Sequence, residues 1–298
     1  MSALARAPLF DTVAIVGVGL IGSSLARVIR RERLARRIVG CDASAAVRRK
    51  LKTLALADAV TGDAGLAAKG ADLVIVCTPI SSYAALGRAI GPKLGRGAIL
   101  SDVGSVKQAA IDTLGRHIAK GAQFVPGHPV AGTENSGPEA GFAELFAGRW
   151  CILTPDKRAS ARAVRRVAEL WRRAGMRVET MDAAHHDLVL AITSHVPHLI
   201  AYTIVNTAND LEAHLKAEVI KFAAGGFRDF TRVAASDPVM WRDVFLHNRE
   251  AVLEMMGRLY EDIALLQKAI RAGEGKTLQD VFTRARRLRR SIIAAKQD

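Results

Sequence analysis

"VAIVGVGLIGSSLARVIRR", Val13 to Arg31, decides how this chain begins to fold. Val13 to Val16 is a short β-type apolar run. Gly17-x-Gly19-x-x-Gly22 follows it, and from about Ile21 the pattern becomes that of an amphipathic helix. Strand, glycine turn and helix in that order open a dinucleotide-binding βαβ unit. Gly17 suits the tight turn, and Gly19 lets the backbone approach a pyrophosphate. Gly22 lets helix and strand pack closely, while the helix N-terminus favours phosphate charge. Gly17, Gly19, Leu20, Ile21 and Gly22 are therefore candidate cofactor-binding residues. A glycine-rich turn without a ligand shares the signature, so the context has to separate the two.

That context extends the motif. A second apolar strand, "RIVGCD", ends in Asp42, about 20 residues beyond the glycines. A carboxylate there accepts hydrogen bonds from the ribose 2′-hydroxyl of NAD and repels the 2′-phosphate of NADP. Arg48, Arg49 and Lys50 follow and could cradle that phosphate; the expectation is NAD rather than NADP. "ADLVIVCTPI" reads as a buried parallel strand from its unbroken apolar run, and it brings Cys77, Thr78 and Pro79 to the carboxyl edge where such sheets bind ligands. "GAILSDVGSVK" repeats the pattern, with Ser105 at its end, and "AQFVPGHP" reads as the next strand. It delivers His128 to the same edge in a loop, "VPGHPVAGTENSG", where Pro129 and three glycines constrain the backbone. An imidazole so placed suits proton transfer near neutral pH. "WCILTP", a helix through Arg173 and "MRVETMD" complete this part near Asp182.

From Ala183 onward strand signals vanish, and apolar residues recur at helical spacing. The sequence thus predicts an α/β fold: a Rossmann-type doubly wound parallel sheet over residues 1–182, then an all-helical domain over 183–298. The adjacent pair His185-His186 does not suit a metal, because neighbouring residues on a helix point about 100° apart; no metal site is expected. In "SHVPH", Pro197 frees the carbonyl four residues earlier, and Ser194 and His198 share a face. "GGFRDFTRVAASDPVMW" is too irregular for a plain helix. Arg232 in it could bind a substrate carboxylate bidentately, or form a structural ion pair with Asp237.

Composition narrows the classes. A length of 298 residues suits roughly two domains. Cys41, Cys77 and Cys151 are far apart, which argues against a disulfide framework or a zinc site. The N-terminus does not read as a signal peptide, and the most apolar window, Leu188 to Val205, is interrupted by His195, Pro197 and His198. A cytoplasmic protein without a membrane partner is expected. The net charge of +14 raises nucleic acid as a partner. The arginines, however, cluster at helical spacing as solvated faces do, and aromatics are few; an anionic small substrate accounts for the basicity.

In their order, "IVGVGLIGSSLA", "VCTPI", "SDVGSVK", "GHPVAGTENSG", "SHVPH" and "GFRDFTRVAASDPVMW" resemble the prephenate dehydrogenase family, including arogenate and cyclohexadienyl dehydrogenases, from about Val13 to Asn248. The resemblance is to the monofunctional form, so neither a chorismate mutase segment nor an appended regulatory domain is expected. The resemblance implies oxidative decarboxylation of a small anionic cyclohexadiene, prephenate or also arogenate, with hydride passing to NAD in tyrosine biosynthesis. His128 matches the family's catalytic histidine, which takes the ring hydroxyl proton, and Ser105 the serine that orients it. Arg232 matches the arginine that binds the side-chain carboxylate, with Ser194, His198 and Thr133 lining the pocket. A homodimer through the helical domain is implied. Two other readings compete. A β-hydroxyacid dehydrogenase of the same plan would need a lysine base, for which Lys216 and Lys221 are available without the expected glycine-asparagine context. An NAD-sensing regulator would use the basic helices on DNA.

Overall fold

The computed structural model describes residues 7–133, 135–211, 218–219 and 221–294. They form two compact units, residues 1–249 and 250–298. Within the first, β1 (Phe10–Val16), α1 (Leu20–Arg31), β2 (Ala35–Cys41), α2 (Ala45–Thr53), β3 (Ala59–Thr61), α3 (Ala64–Ala68), β4 (Leu73–Val76), α4 (Tyr83–Ile90), β5 (Ile99–Asp102), α5 (Lys107–Thr113) and β6 (Gln123–Phe124) alternate in the expected rhythm. The six strands are parallel, in the order β3-β2-β1-β4-β5-β6. The strand order reverses between β1 and β4, and there a crevice opens at the carboxyl ends of the strands.

Alternation along the strands divides the core in two. Val13, Ile15, Leu73, Ile75 and Ile99 face one way, against Leu25, Val28 and Ile29 of α1 and the buried side of α6 (Ala161–Arg173). Ala14, Val16, Val74, Val76 and Leu100 face the other way, against Ala67, Tyr83, Ile90 and Ala110. Trp241 and Val244, from the helix Pro238–His247, join this second core. At about 25 cal/mol per Å² of apolar surface, such two-sided burial is the main stabilising term of the sheet.

"AQFVPGHP" is not one strand. Val125 still donates to the Leu100 carbonyl at 2.9 Å, but Pro126 has no N–H with which to continue the ladder. The chain leaves the main sheet there. β7 (Gly127–Pro129) pairs antiparallel with β8 (Trp150–Leu153), placing His128 opposite Ile152, and β8 runs parallel to β9 (Arg177–Thr180). His128 therefore lies on a strand of a second, three-stranded sheet and not in a loop of the first.

From Ala183 the described elements are helical. α7 (Ala183–Leu190) passes through a π-helical turn, Ala191–His195, into α8 (Val196–Asn209). His195, Pro197 and His198 were expected to break up the apolar window, so that it would not read as a membrane span. The helix runs on through them, with the Val196 N–H donating to the Ala191 carbonyl across the wider turn. Ala183–Asn209 is consequently long and apolar enough to cross a membrane by length and composition alone. α9 (Gly225–Thr231) continues as a 3₁₀ turn through Ala235, the irregularity expected around Arg232, and α10 (Pro238–His247) follows. α11 (Arg249–Ala272) and α12 (Gly275–Ala294) supply the second unit, where Gly273, at φ +67°, ends the first of them.

Candidate active site

The glycine turn meets each geometric requirement of its motif. Gly17 has φ +87°, and a Cβ there would stand 2.5 Å from Thr78 Cγ2. A Cβ on Gly22 would stand 2.2 Å from the Gly17 carbonyl oxygen. Gly19 has nothing within 4 Å of its Cβ position, so the backbone there faces open space. Gly19 is also the N-cap of α1 and contributes no capping side chain, which leaves main-chain N–H groups directed at that space. Asp42 follows β2 directly. Its carboxylate accepts from the N–H groups of Val18 at 3.0 Å and Ser44 at 2.9 Å. The Arg48 guanidinium donates to the carbonyls of Asp42 and Ala43 at 2.8 and 2.7 Å, and Lys50 pairs with Glu139. A dinucleotide fits this cradle: open backbone donors for its pyrophosphate and an acidic side chain at the end of β2.

A cleft of about 700 Å³ opens beside the turn. Gly19, Leu20, Ile21, Cys77, Thr78 and Pro79 line one part of it. Ser105, His128 and Thr133 line the middle, and Ser194, His198 and Arg232 the helical wall. The structure therefore brings every residue expected around substrate into one cavity. Gly17, Gly22 and Asp42 stand behind its wall. Lys221, the alternative base, is exposed and lies over the Phe222 ring at 5.3 Å, away from the cleft; Lys216 is outside the described residues.

Local structure positions each group. The His198 ring nitrogen Nδ1 donates to the Ser194 carbonyl at 2.8 Å, and its ring stacks on Trp241 with centroids 3.7 Å apart. Arg232 and Asp237 both face the cleft, and the Asp237 carboxylate caps α10 by accepting from Val239 and Met240 N–H groups. His128 is 8% exposed. Burial first, and then the neighbouring His186, Lys107 and His195, hold it well below the ordinary histidine range. Its environment is thus far from neutral, and the imidazole stays uncharged at physiological pH.

Several participants carried no predicted role. Lys107 is fully buried; its ammonium binds the Asp102 carboxylate at 2.5 Å and the Gly127 carbonyl at 2.7 Å, fixing β7 beside β5. Tyr83 donates to the same carboxylate at 2.9 Å. His185 and His186 diverge, the first exposed and the second wholly buried, as their helical spacing requires. His186 Nε2 lies 2.9 Å from His128 Nδ1, and its own Nδ1 lies 2.8 Å from Asp187 Oδ1. Ala183, His186, Asp187 and Leu190 form the buried face of α7, an i, i+3, i+4, i+7 set that helical periodicity would have revealed.

A glycine-turn cradle, a parallel sheet that opens at its switch point, and a buried imidazole in the adjoining cleft define an oxidoreductase built on a dinucleotide-binding fold. Comparison with known proteins narrows the class. The family model for the prephenate dehydrogenase nucleotide-binding domain matches residues 25–180, and that for the prephenate dehydrogenase dimerization domain matches residues 182–284. The chain is 40% identical to the cyclohexadienyl dehydrogenase of Zymomonas mobilis, over 95% of this chain and 96% of that one. It is 32% identical to the prephenate dehydrogenase of Bacillus subtilis, over 93% and 74%. The solved prephenate dehydrogenase of A. aeolicus, in complex with hydroxyphenyl propionate and NAD+, superimposes with a TM-score of 0.88 at 32% identity, covering 95% of this chain and 98% of that one. The chain belongs to the prephenate dehydrogenase family.

Proposed function

We propose that this chain oxidatively decarboxylates prephenate to 4-hydroxyphenylpyruvate, a step of tyrosine biosynthesis, and that it prefers NAD to NADP. The observation that carries the reading is His128: a buried, uncharged imidazole in the cleft that also holds the open face of the glycine turn. Bound at that turn, the nicotinamide supplies the acceptor for the hydride from ring carbon C4. His128 Nε2 takes the proton of the 4-hydroxyl as the C4 hydrogen leaves. The electron pair of the bond to the ring carboxylate stays in the ring as CO2 departs, and the phenolate oxygen takes the proton back from His128 to end as a phenol. Aromatisation provides the driving force, so positioning is the protein's main contribution. Ser105 orients His128 and the substrate. Arg232 binds the side-chain carboxylate, and Ser194, His198 and Thr133 shape the pocket around the ring.

The cofactor preference is supported by Asp42, whose negative charge opposes a 2′-phosphate, and by Arg48 and Lys50, whose charged ends are engaged elsewhere. Formation of reduced nicotinamide from prephenate or arogenate, with NAD or NADP in turn, tests both parts. No turnover with either acid overturns the reading of the reaction, and equal use of NADP overturns the reading of Asp42.

The division into a nucleotide-binding part, 1–182, and a helical part, 183–298, belongs to the same proposal. So does a cytoplasmic homodimer built through the helices. The outward apolar residues of the second unit support a partner surface: Leu253, Ile263, Leu265, Ile270, Phe282 and Leu288 are each at least half exposed. Light scattering on the purified chain gives its mass in solution, and a monomer at micromolar concentration overturns the assembly.

A further inference from the structure

The cleft explains where His128 sits, but not which of its nitrogens is free to accept a proton. The answer lies behind the ring, on the buried face of α7. His186 is completely buried and Asp187 nearly so, and neither lines the cleft. Asp187 is held by both oxygens: Oδ1 accepts the Lys107 N–H at 2.8 Å and Oδ2 the Gln108 N–H at 2.9 Å, the first two amides of α5. Its main-chain carbonyl accepts from Asn248 Nδ2 at 2.9 Å. The carboxylate is thus fixed in place and enters the next contact as an acceptor.

Counting protons outward from it leaves one arrangement. Asp187 Oδ1 accepts, so His186 Nδ1 carries the hydrogen between them, 2.8 Å apart. A neutral His186 then has a bare Nε2, which accepts from His128 Nδ1 at 2.9 Å. His128 Nδ1 therefore carries the ring's single hydrogen, and Nε2, the nitrogen left for the cleft, is bare. When Nε2 takes a proton, Nδ1 goes on donating to His186 and no group has to turn. Without these partners the outcome differs, since a free histidine ring favours the tautomer with its hydrogen on Nε2, which cannot act as a base. The tautomer of a histidine is set by the bond its other nitrogen makes, the role of the aspartate in Ser-His-Asp triads.

We propose that His186 and Asp187 are positioning residues that lock His128 in the tautomer with Nε2 unprotonated and open to substrate. The inference rests on the reading of His128 as the proton acceptor and adds the device that makes it one. The other titratable or charged groups packed around His128 are Lys107 on α5 with Asp102 behind it, Cys151 on β8, and His195 on the π turn. None of them holds a hydrogen bond to its ring nitrogens among the described residues.

The test combines ¹⁵N-histidine NMR of the full-length protein with kinetics of His186→Phe, which keeps a ring but removes the acceptor. The His128 signals are assigned by their loss in His128→Asn. The wild type should show a protonated Nδ1 and a bare Nε2 at His128 near neutral pH. His186→Phe should move hydrogen onto Nε2 and lower kcat on the order of 10²-fold, with KM changed little because His186 does not touch the cleft. His186→Gln, which can restore a carbonyl acceptor, should recover part of that loss. A wild-type His128 with its hydrogen on Nε2, or His186→Phe with unchanged tautomer and turnover, overturns the proposal. If His186→Phe fails to fold, the wild-type spectrum decides alone. Normal turnover by His128→Asn sinks the base reading itself, whereas its loss together with an Nε2–H wild-type signal sinks only the lock.

Discussion

Arg48 and Asp42 meet at the end of β2 through the main chain and not through their charges: the guanidinium donates to the Asp42 carbonyl at 2.8 Å, while the carboxylate turns to the Val18 N–H at 3.0 Å. The carboxylate is thus not paired with the guanidinium, which is directed at the Asp42 and Ala43 carbonyls.

Asp42→Ser should therefore shift preference toward NADP, measured as the ratio of kcat/KM for the two cofactors. Because the carboxylate also holds Val18, the KM for NAD should rise in the same variant. A ratio equal to that of wild type would remove Asp42 from cofactor choice.

Gly22→Ala should weaken cofactor binding most of all the conservative changes in this turn. The added methyl would stand 2.2 Å from the Gly17 carbonyl oxygen, main chain that cannot move without deforming the turn. Calorimetric titration with NAD should show weaker binding in a protein whose helical content is retained; binding as tight as wild type contradicts the close packing described.

Arg232→Ala should act through binding. Arg232 is exposed at the cleft wall, so the effect belongs at the lower end for a truncated carboxylate pair, about 2 kcal/mol, or roughly a 30-fold rise in KM. The loss in kcat should be smaller. An unchanged KM would leave Arg232 with a structural ion-pair role.

His128→Asn should lose on the order of 10²–10⁴ in kcat, the usual worth of general acid–base catalysis, with KM changed much less. The base works only when neutral, so kcat falls as pH drops through its pKa. Burial, and then the neighbouring His186, Lys107 and His195, depress that pKa, which places the acid limb of the wild type below about pH 6.5, and the limb should vanish from the variant's residual activity. A limb at or above that pH contradicts the environment described.

Stability should follow the same histidines. His128, His186 and His195 are buried and depressed, His195 to about 4, whereas in the unfolded chain each titrates near pH 6.5. Below that pH the unfolded state binds more protons than the folded one. Stability should then fall with acidification by up to about 1.4 kcal/mol per pH unit for each histidine, levelling off below its folded pKa. Melting temperatures between pH 7 and 4 check this; a flat profile would mean that the three rings are solvated.

The nucleotide-binding half was legible because its signals are local. Turn glycines, apolar runs and a strand-end acid each act within a few residues, and the chain placed them as their patterns predict. The break at Pro126 escaped because it depends on a partner: the ladder stops at a missing N–H, and only β8, some 25 residues on, gives Gly127 to Pro129 a new neighbour. The same holds for the site. Ser105, His128, Ser194, His198 and Arg232 were found through motifs, and they share one cleft. His186 and Asp187 were not, because their roles arise from contacts 58 to 80 residues away in sequence, and Lys107, although it closes a quoted motif, carried no predicted role.

The π turn at Ala191–His195 also sets a phase. An extra residue in a helix rotates everything after it by about 100° relative to what precedes it. Upstream of the turn, His186 and Asp187 point inward behind His128; within it Ser194, and after it His198, line the cleft. One continuous rod thereby serves two differently aimed surfaces, and their relative angle is written into the count of residues between them. Winding the same residues as unbroken α-helix would put one surface about 100° out of alignment with its target, although every side chain of both surfaces would still be present.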